Sequence, residues 1–166
     1  MDGAWPPLIL QNSRVELTKL VETLDKLDDS TSDDFVKYLS RFLVIRACGH
    51  IEFSLAEAVS LHSEHRSHPY IASYVRSGLS NSGRNPKPGS ISEILKRLSP
   101  DWAAEFDEMM AEDSDLYSRE LSFLVDRRNK IAHGQSEGVG RRKALDLAKI
   151  ALHIADWIIE TLNPKS

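Results

Sequence analysis

The residues best suited to chemistry stand together in the segment Arg127-Arg128-Asn129-Lys130-Ile131-Ala132-His133-Gly134. An imidazole exchanges a proton near neutral pH, because its ordinary pKa is about 6.5. A guanidinium stays charged and presents a rigid fork of donors that fits a phosphate. An arginine and a histidine that converge on one phosphodiester can cleave RNA through the ribose 2′-hydroxyl, and this chemistry requires no metal ion or other cofactor. The segment therefore predicts a metal-independent RNA-cleaving site.

The spacing of this pair sets a geometric condition. Arg128 and His133 are five residues apart, which on an ideal helix separates their Cα atoms by about 140° and about 7.5 Å of rise. A long arginine can swing toward the helix end, and a left-handed residue at Gly134 can end the helix and turn the imidazole. The alternative is that these basic side chains only complement the dipole at the end of the helix.

Charge is distributed unevenly along the chain. The formal net charge is -4, which argues against non-specific coating of nucleic acid, because such binding needs many phosphate contacts. Residues 101–120 are strongly acidic, whereas 127–143 carries six basic residues and one acid. Any phosphate site must therefore be local. The expected RNA-binding residues are Arg127, Lys130, Arg141 and Arg142.

The run Arg128-Asn129-Lys130-Ile131-Ala132-His133 resembles the R-x4-6-H motif of the HEPN superfamily, with a polar residue directly after the arginine. Two further stretches resemble the RiboL-PSP-associated subgroup of that superfamily. One is 46–55, with its arginine, its glycine and Glu52, and the other is Asn85-Pro86 ahead of 91–95. The subgroup resemblance covers about 35–160.

This resemblance implies a HEPN-type bundle of four or five helices that forms a homodimer, in which two motifs meet across a cleft. It also implies endoribonuclease activity as a toxin or phage-defence effector, with a possible antitoxin or regulatory partner. Arg128 and His133 inherit the catalytic positions, and Asn129 inherits a supporting one. Arg127 also precedes His133 at a permitted spacing, but the asparagine after Arg128 favours Arg128. The alternative is a non-catalytic HEPN module that binds a nucleotide or a partner protein.

Hydrophobic periodicity predicts an all-α protein with short connecting helices between the long ones. The capping box Ser13-Arg14-Val15-Glu16 predicts a helix over 14–28, and a long helix is predicted over 33–64. We then expect a short helix from Pro69, a loop over 78–89 and a helix that begins at the capping box Ser90–Glu93. Prolines and apolar spacing then predict helices from Ser99-Pro100 to Met110, over 115–133 and over 140–162.

Other candidate sites are less specific. His62, His65 and His68 straddle a predicted helix end at a spacing unlike that of a zinc helix, so we expect no metal site there. The single cysteine, Cys48, lies in an apolar stretch and is interpreted as a buried hydrophobe rather than a nucleophile. Arg46 and Glu52 interrupt the long apolar helix, and the sequence leaves open whether they face the motif or solvent. Trp102 and Trp157 are interpreted as packing residues.

Length and composition set the remaining expectations. With 166 residues, of which 41% are hydrophobic, the chain suits one domain, predicted over 13–163 behind a flexible leader over 1–12. The lone cysteine excludes a disulfide framework and suits a reducing compartment, so cytoplasm is the expected location. No stretch is long and apolar enough to predict a membrane span.

Overall fold

The computed structural model describes residues 4–80, 85–135 and 138–165. Helix accounts for 83% of the protein, and the described residues contain no strand, so the predicted all-α class is confirmed. The helices are α1 (Leu8–Asp25), α2 (Asp33–Arg66), α3 (Pro69–Ser80), α4 (Pro88–Leu98), α5 (Pro100–Ala132) and α6 (Arg141–Thr161). None of these helices is long and apolar enough to cross a membrane.

The first helix begins earlier than the sequence pattern predicts. It starts at Leu8, after Pro7 in extended conformation, so the Ser13 capping box lies inside the helix. Leu10 is fully buried, and the Trp5 indole Nε1 donates to the Ile159 carbonyl at 2.8 Å. Burial of these apolar groups extends the helix upstream. Helix α1 therefore includes residues 8–12 of the predicted leader, while residues 1–3 lie outside the described residues.

The long helix α2 follows the prediction closely. Ser32 caps it, its side chain accepting from the Phe35 amide at 3.3 Å, and the helix continues two residues beyond the predicted end at 64. Its first turn carries two acids, which favour the positive end of the helix dipole. Gly49 is accommodated within the helix, as expected.

The connection between α3 and α4 is shorter than the predicted loop over 78–89. Helix α3 continues to Ser80, and α4 begins at Pro88 with Lys87 at the cap position. The predicted capping box at Ser90 is therefore wrong as a helix start, because proline fits the first turn and sets the start two residues earlier. Residues 81–84 of the predicted loop lie outside the described residues.

Helix α5 consists of two arms that correspond to the two helices predicted there. Glu112 is extended, and Asp113, Ser114 and Asp115 all have positive φ angles of 49° to 61°. Left-handed backbone is unfavourable for residues other than glycine, so this stretch interrupts the helix. The second arm carries the chemically interesting segment to the end at Ala132.

Side-chain contacts fix the directions of the helices. Helix α1 is antiparallel to α2, since Ser13 contacts His50 while Glu16 pairs with Arg46. It is also antiparallel to α6, because Arg14 pairs with Asp156 and the Arg141 guanidinium reaches the Asp25 carbonyl. Helices α2 and α6 therefore run parallel.

The second arm of α5 is antiparallel to α6. Tyr117 stacks on His153 and Lys143 pairs with Glu120, so residue numbers rise along the α5 arm as they fall along α6. It follows that this arm is also antiparallel to α2. Aliphatic residues of all these helices form one core, which includes Leu43, Leu124 and Ile154.

Candidate active site

Arg128 lies at the meeting point of three parts of the chain. Its guanidinium Nη2 is ion-paired with Glu52 of α2. Its Nη1 donates to the side-chain carbonyl of Asn85, just before α4, at 3.0 Å and to that of Asn129 at 3.1 Å. Two carbonyl oxygens and a carboxylate thus fix the plane of the guanidinium, while 26% of the Arg128 side chain remains exposed.

Burial changes the pKa values of two α2 side chains near Arg128, Glu52 and Cys48. Partial burial raises the pKa of Glu52, and the nearby positive charge of Arg128 offsets part of that rise. Cys48 lies one turn before Glu52 on α2 and is fully buried, as the sequence predicts. Burial, with a smaller contribution from the Glu52 charge, raises the pKa of the Cys48 thiol to about 11. The thiol is therefore neutral at physiological pH and is a poor nucleophile.

His133 occupies a very different position at the end of the same helix. It is the C-terminal cap residue and is exposed, and its backbone amide donates to the Asn129 carbonyl at 3.0 Å. Gly134 follows with a φ of 72°, and the amides of Gly134 and Gln135 bond to the carbonyls of Ile131 and Lys130. This pairing is a Schellman motif, so the predicted left-handed glycine at the helix end is confirmed.

Arg127, the other candidate arginine, faces a different neighbour. Its guanidinium carbon lies 4.6 Å from the centre of the Phe123 ring. The Lys143 ammonium lies 5.0 Å from the same ring, so Phe123 holds basic groups from α5 and α6 side by side. The described contacts of the two arginines therefore differ: Arg127 lies over the Phe123 ring, and Arg128 contacts Glu52, Asn85 and Asn129.

The remaining predicted RNA-binding residues are spread over the same end of the molecule. Lys130 pairs with Asp126 of its own helix at 3.3 Å. Arg141 donates to the Asp25 carbonyl at 2.6 Å, and Arg142 is exposed at the start of α6. The structure thus places these basic residues where α5 ends and α6 begins. Lys130 forms an ion pair there, and Arg141 forms a hydrogen bond.

The sequence matches the RiboL-PSP-HEPN family over residues 10–163. The chain belongs to this HEPN family. No curated protein and no solved structure matches the chain. The family match covers all but the ends of the sequence, and it includes α2, the segment before α4 and the end of α5.

Two residues of this HEPN chain were not among the predicted site residues. Glu52 and Asn85 are separated from Arg128 by 76 and 43 positions, yet both contact its guanidinium. The signal for both was the resemblance to the RiboL-PSP-associated subgroup rather than any local spacing. Asn129, which was predicted to support the arginine, does contact it.

The other sequence candidates of the HEPN chain lie apart from Arg128. Arg46 points to α1, where it pairs with Glu16 at 3.1 Å, and 44% of its side chain is exposed. His62 donates to the Leu162 carbonyl, His65 bonds to its own helix and His68 contacts Tyr70. Within the described residues no three potential ligands converge on a metal position.

The two tryptophans of the helices make ring contacts with neighbouring helices. Trp157 lies 5.5 Å from Phe106, ring centre to ring centre, and Trp102 meets His62 edge-on at 5.2 Å. Both join the hydrophobic core as partly buried residues. Their interpretation as packing residues is confirmed.

Proposed function

We propose that this protein is a metal-independent endoribonuclease of the HEPN type. The observation that carries the proposal is that a guanidinium held by three side chains and an exposed imidazole lie five residues apart near the end of one helix. Arg128 is oriented by Glu52, Asn85 and Asn129, and His133 follows at the Schellman turn. Family membership supports the same conclusion, because HEPN domains are commonly ribonucleases.

In the proposed reaction, the His133 imidazole accepts the proton of the ribose 2′-hydroxyl. The 2′ oxygen then attacks the adjacent phosphorus, and the bond from phosphorus to the 5′ oxygen breaks. The products are a 2′,3′-cyclic phosphate and a 5′-hydroxyl: the departing 5′ oxygen takes up a proton from water, and His133 returns the proton it accepted to the solvent. The Arg128 guanidinium stabilises the charge that develops on the phosphoryl oxygens.

Asn129, Asn85 and Glu52 act in this scheme as positioning residues for Arg128. A guanidinium held in one plane loses little orientational freedom when it meets the transition state, which lowers the barrier. Arg127, Lys130, Arg141 and Arg142 attract the RNA backbone, so RNA binding weakens as salt increases. We propose a toxin or phage-defence setting, with RNA as substrate and a cognate antitoxin or regulator as restraint.

The direct test is cleavage of mixed RNAs by the purified protein in EDTA. We expect cleavage by the wild type and its loss in Arg128→Ala and His133→Ala, with circular dichroism and melting near wild type. Arg127→Ala is the matched control, because it removes the neighbouring guanidinium and should weaken binding while substantial turnover remains. A requirement for added divalent ions would refute the proton-transfer scheme, and equal loss in Arg127→Ala and Arg128→Ala would refute the assignment of Arg128 alone.

A second candidate function follows from the ion pair itself. Because Glu52 neutralises much of the Arg128 charge, the same cluster also suits a non-catalytic HEPN module that binds a nucleotide or a partner protein. In that case Arg128→Ala would change ligand binding, and the wild type would leave RNA intact under every condition tested. Intact RNA combined with measurable nucleotide binding would therefore favour this second function.

A further inference from the structure

A cleft separates the two short helices α3 and α4. Arg76 of α3 pairs with Glu64 of α2 at 2.7 Å, whereas Ser92 of α4 donates to Asp107 of α5 at 3.1 Å. The two short helices are thus held by different long helices. The cavity between them has a volume of about 370 Å³, and the buried Val59 of α2 lies at its floor. We call this cavity the α3–α4 cleft.

The walls of the α3–α4 cleft are apolar. They are formed by Val75 and Leu79 of α3 and by Ile94 and Leu98 of α4. An apolar cavity of about 150 Å³ already holds a benzene-sized group, so this cleft has room for about two large apolar side chains. The cleft therefore suits a ligand that inserts apolar groups between the helices.

The apolar surface continues along α3 beyond the cleft. Tyr74 lines the cleft and is 78% exposed, and Ile71, one turn before Val75, is 56% exposed. Tyr70, one turn before Tyr74, is 81% exposed. With about 150–250 Å² for each whole aromatic side chain, this ridge exposes on the order of 400 Å². Patches of this size on a monomer are often functional, and a peptide segment would cover both the cleft and the ridge.

Charge at the cleft is positive. Arg97 lines the cleft, and 62% of its side chain is exposed although it pairs with Glu93. The sequence of α3 contains no Asp or Glu. From the start of α3 to the end of α4, residues 69–98 carry five Lys or Arg and one Glu, in a chain whose net charge is -4. An occupant that carries carboxylates beside its apolar groups complements this region.

We infer that the α3–α4 cleft binds an acidic amphipathic helix of a partner protein. Such a helix inserts apolar side chains from one face, one turn apart, into a groove between two helices. Its carboxylates lie next to Arg97. The contact area is below the standard of about 800 Å² per partner, so the complex is reversible. This docking surface does not depend on the proposed function, because binding requires no RNA cleavage.

Two other occupants fit the cleft less well. A second copy of the chain, related by a two-fold axis through this patch, would bring its own Arg97 close to the first, and like charges oppose that contact. RNA binding relies on many phosphate contacts, whereas the walls of this cleft are aliphatic.

The first test compares two designed peptides by fluorescence anisotropy. Each is a helix of about sixteen residues with leucines at i, i+4 and i+7, and the flanking positions are Glu in one peptide and Lys in the other. The acidic peptide should bind the wild type with a Kd of tens of micromolar, and the basic peptide at least tenfold more weakly. Equal binding of the two peptides, or no binding of the acidic one, would overturn the inference.

Gly78→Leu locates the binding site. A Cβ built at Gly78, which lines the cleft, meets no atom within 4 Å, so a leucine there occupies open space. Leucine also has a higher helix propensity than glycine, so α3 is retained. The acidic peptide should bind this variant at least tenfold more weakly. Ser73→Leu is the matched control, because Ser73 is exposed about 140° around α3 from Gly78 and should leave binding unchanged. Wild-type affinity in Gly78→Leu would refute the site.

Arg97→Glu separates charge from shape. It should weaken the acidic peptide at least tenfold and strengthen the basic one, because the cation beside the cleft becomes an anion. Arg119→Glu is the matched control, since it reverses an exposed arginine on the second arm of α5 and should keep the preference for the acidic peptide. An unaltered preference in Arg97→Glu would contradict the acidic partner.

A labelled poly(U) oligonucleotide distinguishes a protein partner from RNA. It should not compete with the acidic peptide, and Gly78→Leu should leave its binding unchanged. Competition together with a loss in Gly78→Leu would assign the cleft to RNA and overturn the inference. The peptide measurements use no cleavage assay, so a protein that leaves RNA intact can still bind the acidic helix, and an active ribonuclease that fails to bind it would refute this surface alone.

Discussion

Arg128 and His133 are five residues apart in the sequence, yet they differ in burial and in the number of side chains that they contact. Arg128 is partly buried and touches three side chains from three parts of the chain. His133 is exposed at a helix end, where backbone hydrogen bonds of the cap position it. A cation that stabilises charge benefits from being fixed, whereas a group that exchanges protons needs access to substrate and water. The contrast indicates that rigidity is concentrated on the arginine.

The strongest test of this contrast is Arg128→Lys, which keeps the charge and removes the planar fork. A lysine ammonium cannot satisfy Glu52, Asn85 and Asn129 at once with the same geometry. We expect kcat to fall by about 10²-fold, since small errors in position are costly at a reacting phosphate. Single-turnover cleavage in EDTA measures this. A rate within about threefold of wild type would show that charge alone suffices and that the fixed plane is irrelevant.

Glu52 offers a test of orientation without changing the arginine. Glu52→Ala removes the carboxylate and should lower kcat by about tenfold, with a smaller change in KM, because Arg128 keeps its charge and loses its alignment. Glu52→Gln retains an oxygen acceptor and should recover part of that loss. Burial raises the pKa of Glu52 and thus disfavours its charged form, so we expect the fold to tolerate the neutral glutamine.

Kinetics of the two Glu52 variants, together with their melting temperatures, check this prediction. If Glu52→Ala is faster than wild type, the carboxylate restrains Arg128 instead of positioning it. That outcome would favour a role for the ion pair in keeping the site inactive until RNA or a partner displaces it.

Much of this architecture could be predicted from sequence, and the failures have physical causes. Apolar periodicity located α2 and α6 to within two residues, because each buries a continuous stripe. The start of α1 was missed because a capping box is a local signal, whereas the true start depends on burial of Leu10 against the core. Local patterns therefore predict helices better than they predict helix ends.

The candidate site shows the same division. Arg128, Asn129 and His133 are close in sequence, so their spacing alone drew attention to them. Arg46 and Glu52 looked equivalent in sequence, yet six residues turn an ideal helix by about 240° past a full circle, so only one can face Arg128. Which of the two faces Arg128 depends on how α1 and α5 pack around α2. Local sequence spacing carries no information about this long-range packing.

Mixing two inactive variants tests whether the fixed arginine and the accessible histidine act across two chains. If the productive pair is Arg128 of one copy and His133 of the other, a heterodimer of Arg128→Ala with His133→Ala keeps one complete pair. Random exchange makes about half of the dimers mixed, each with one of two sites, so activity should recover to roughly a quarter of wild type.

No recovery in the mixture, after subunit exchange has been verified by mass, would mean that the pair acts within one chain or that all four side chains are needed together.

The smallest expected effect concerns the turn that presents His133. Gly134 has a φ of 72°, and a Cβ built there meets no atom within 4 Å, so its requirement for glycine comes from the backbone and not from crowding. Gly134→Ala should therefore cost about 1 kcal/mol of unfolding free energy through the left-handed conformation. Gly134→Asn is the matched comparison, because asparagine tolerates this conformation better, and it should lose less unfolding free energy.

Activity should fall only about two- to threefold in Gly134→Ala, because the exposed imidazole can readjust. A loss as large as that of Arg128→Lys would mean that His133 is held as rigidly as the arginine, and the contrast between the two residues would fail. Chemical denaturation and RNA cleavage, measured on the same preparations, decide between these outcomes.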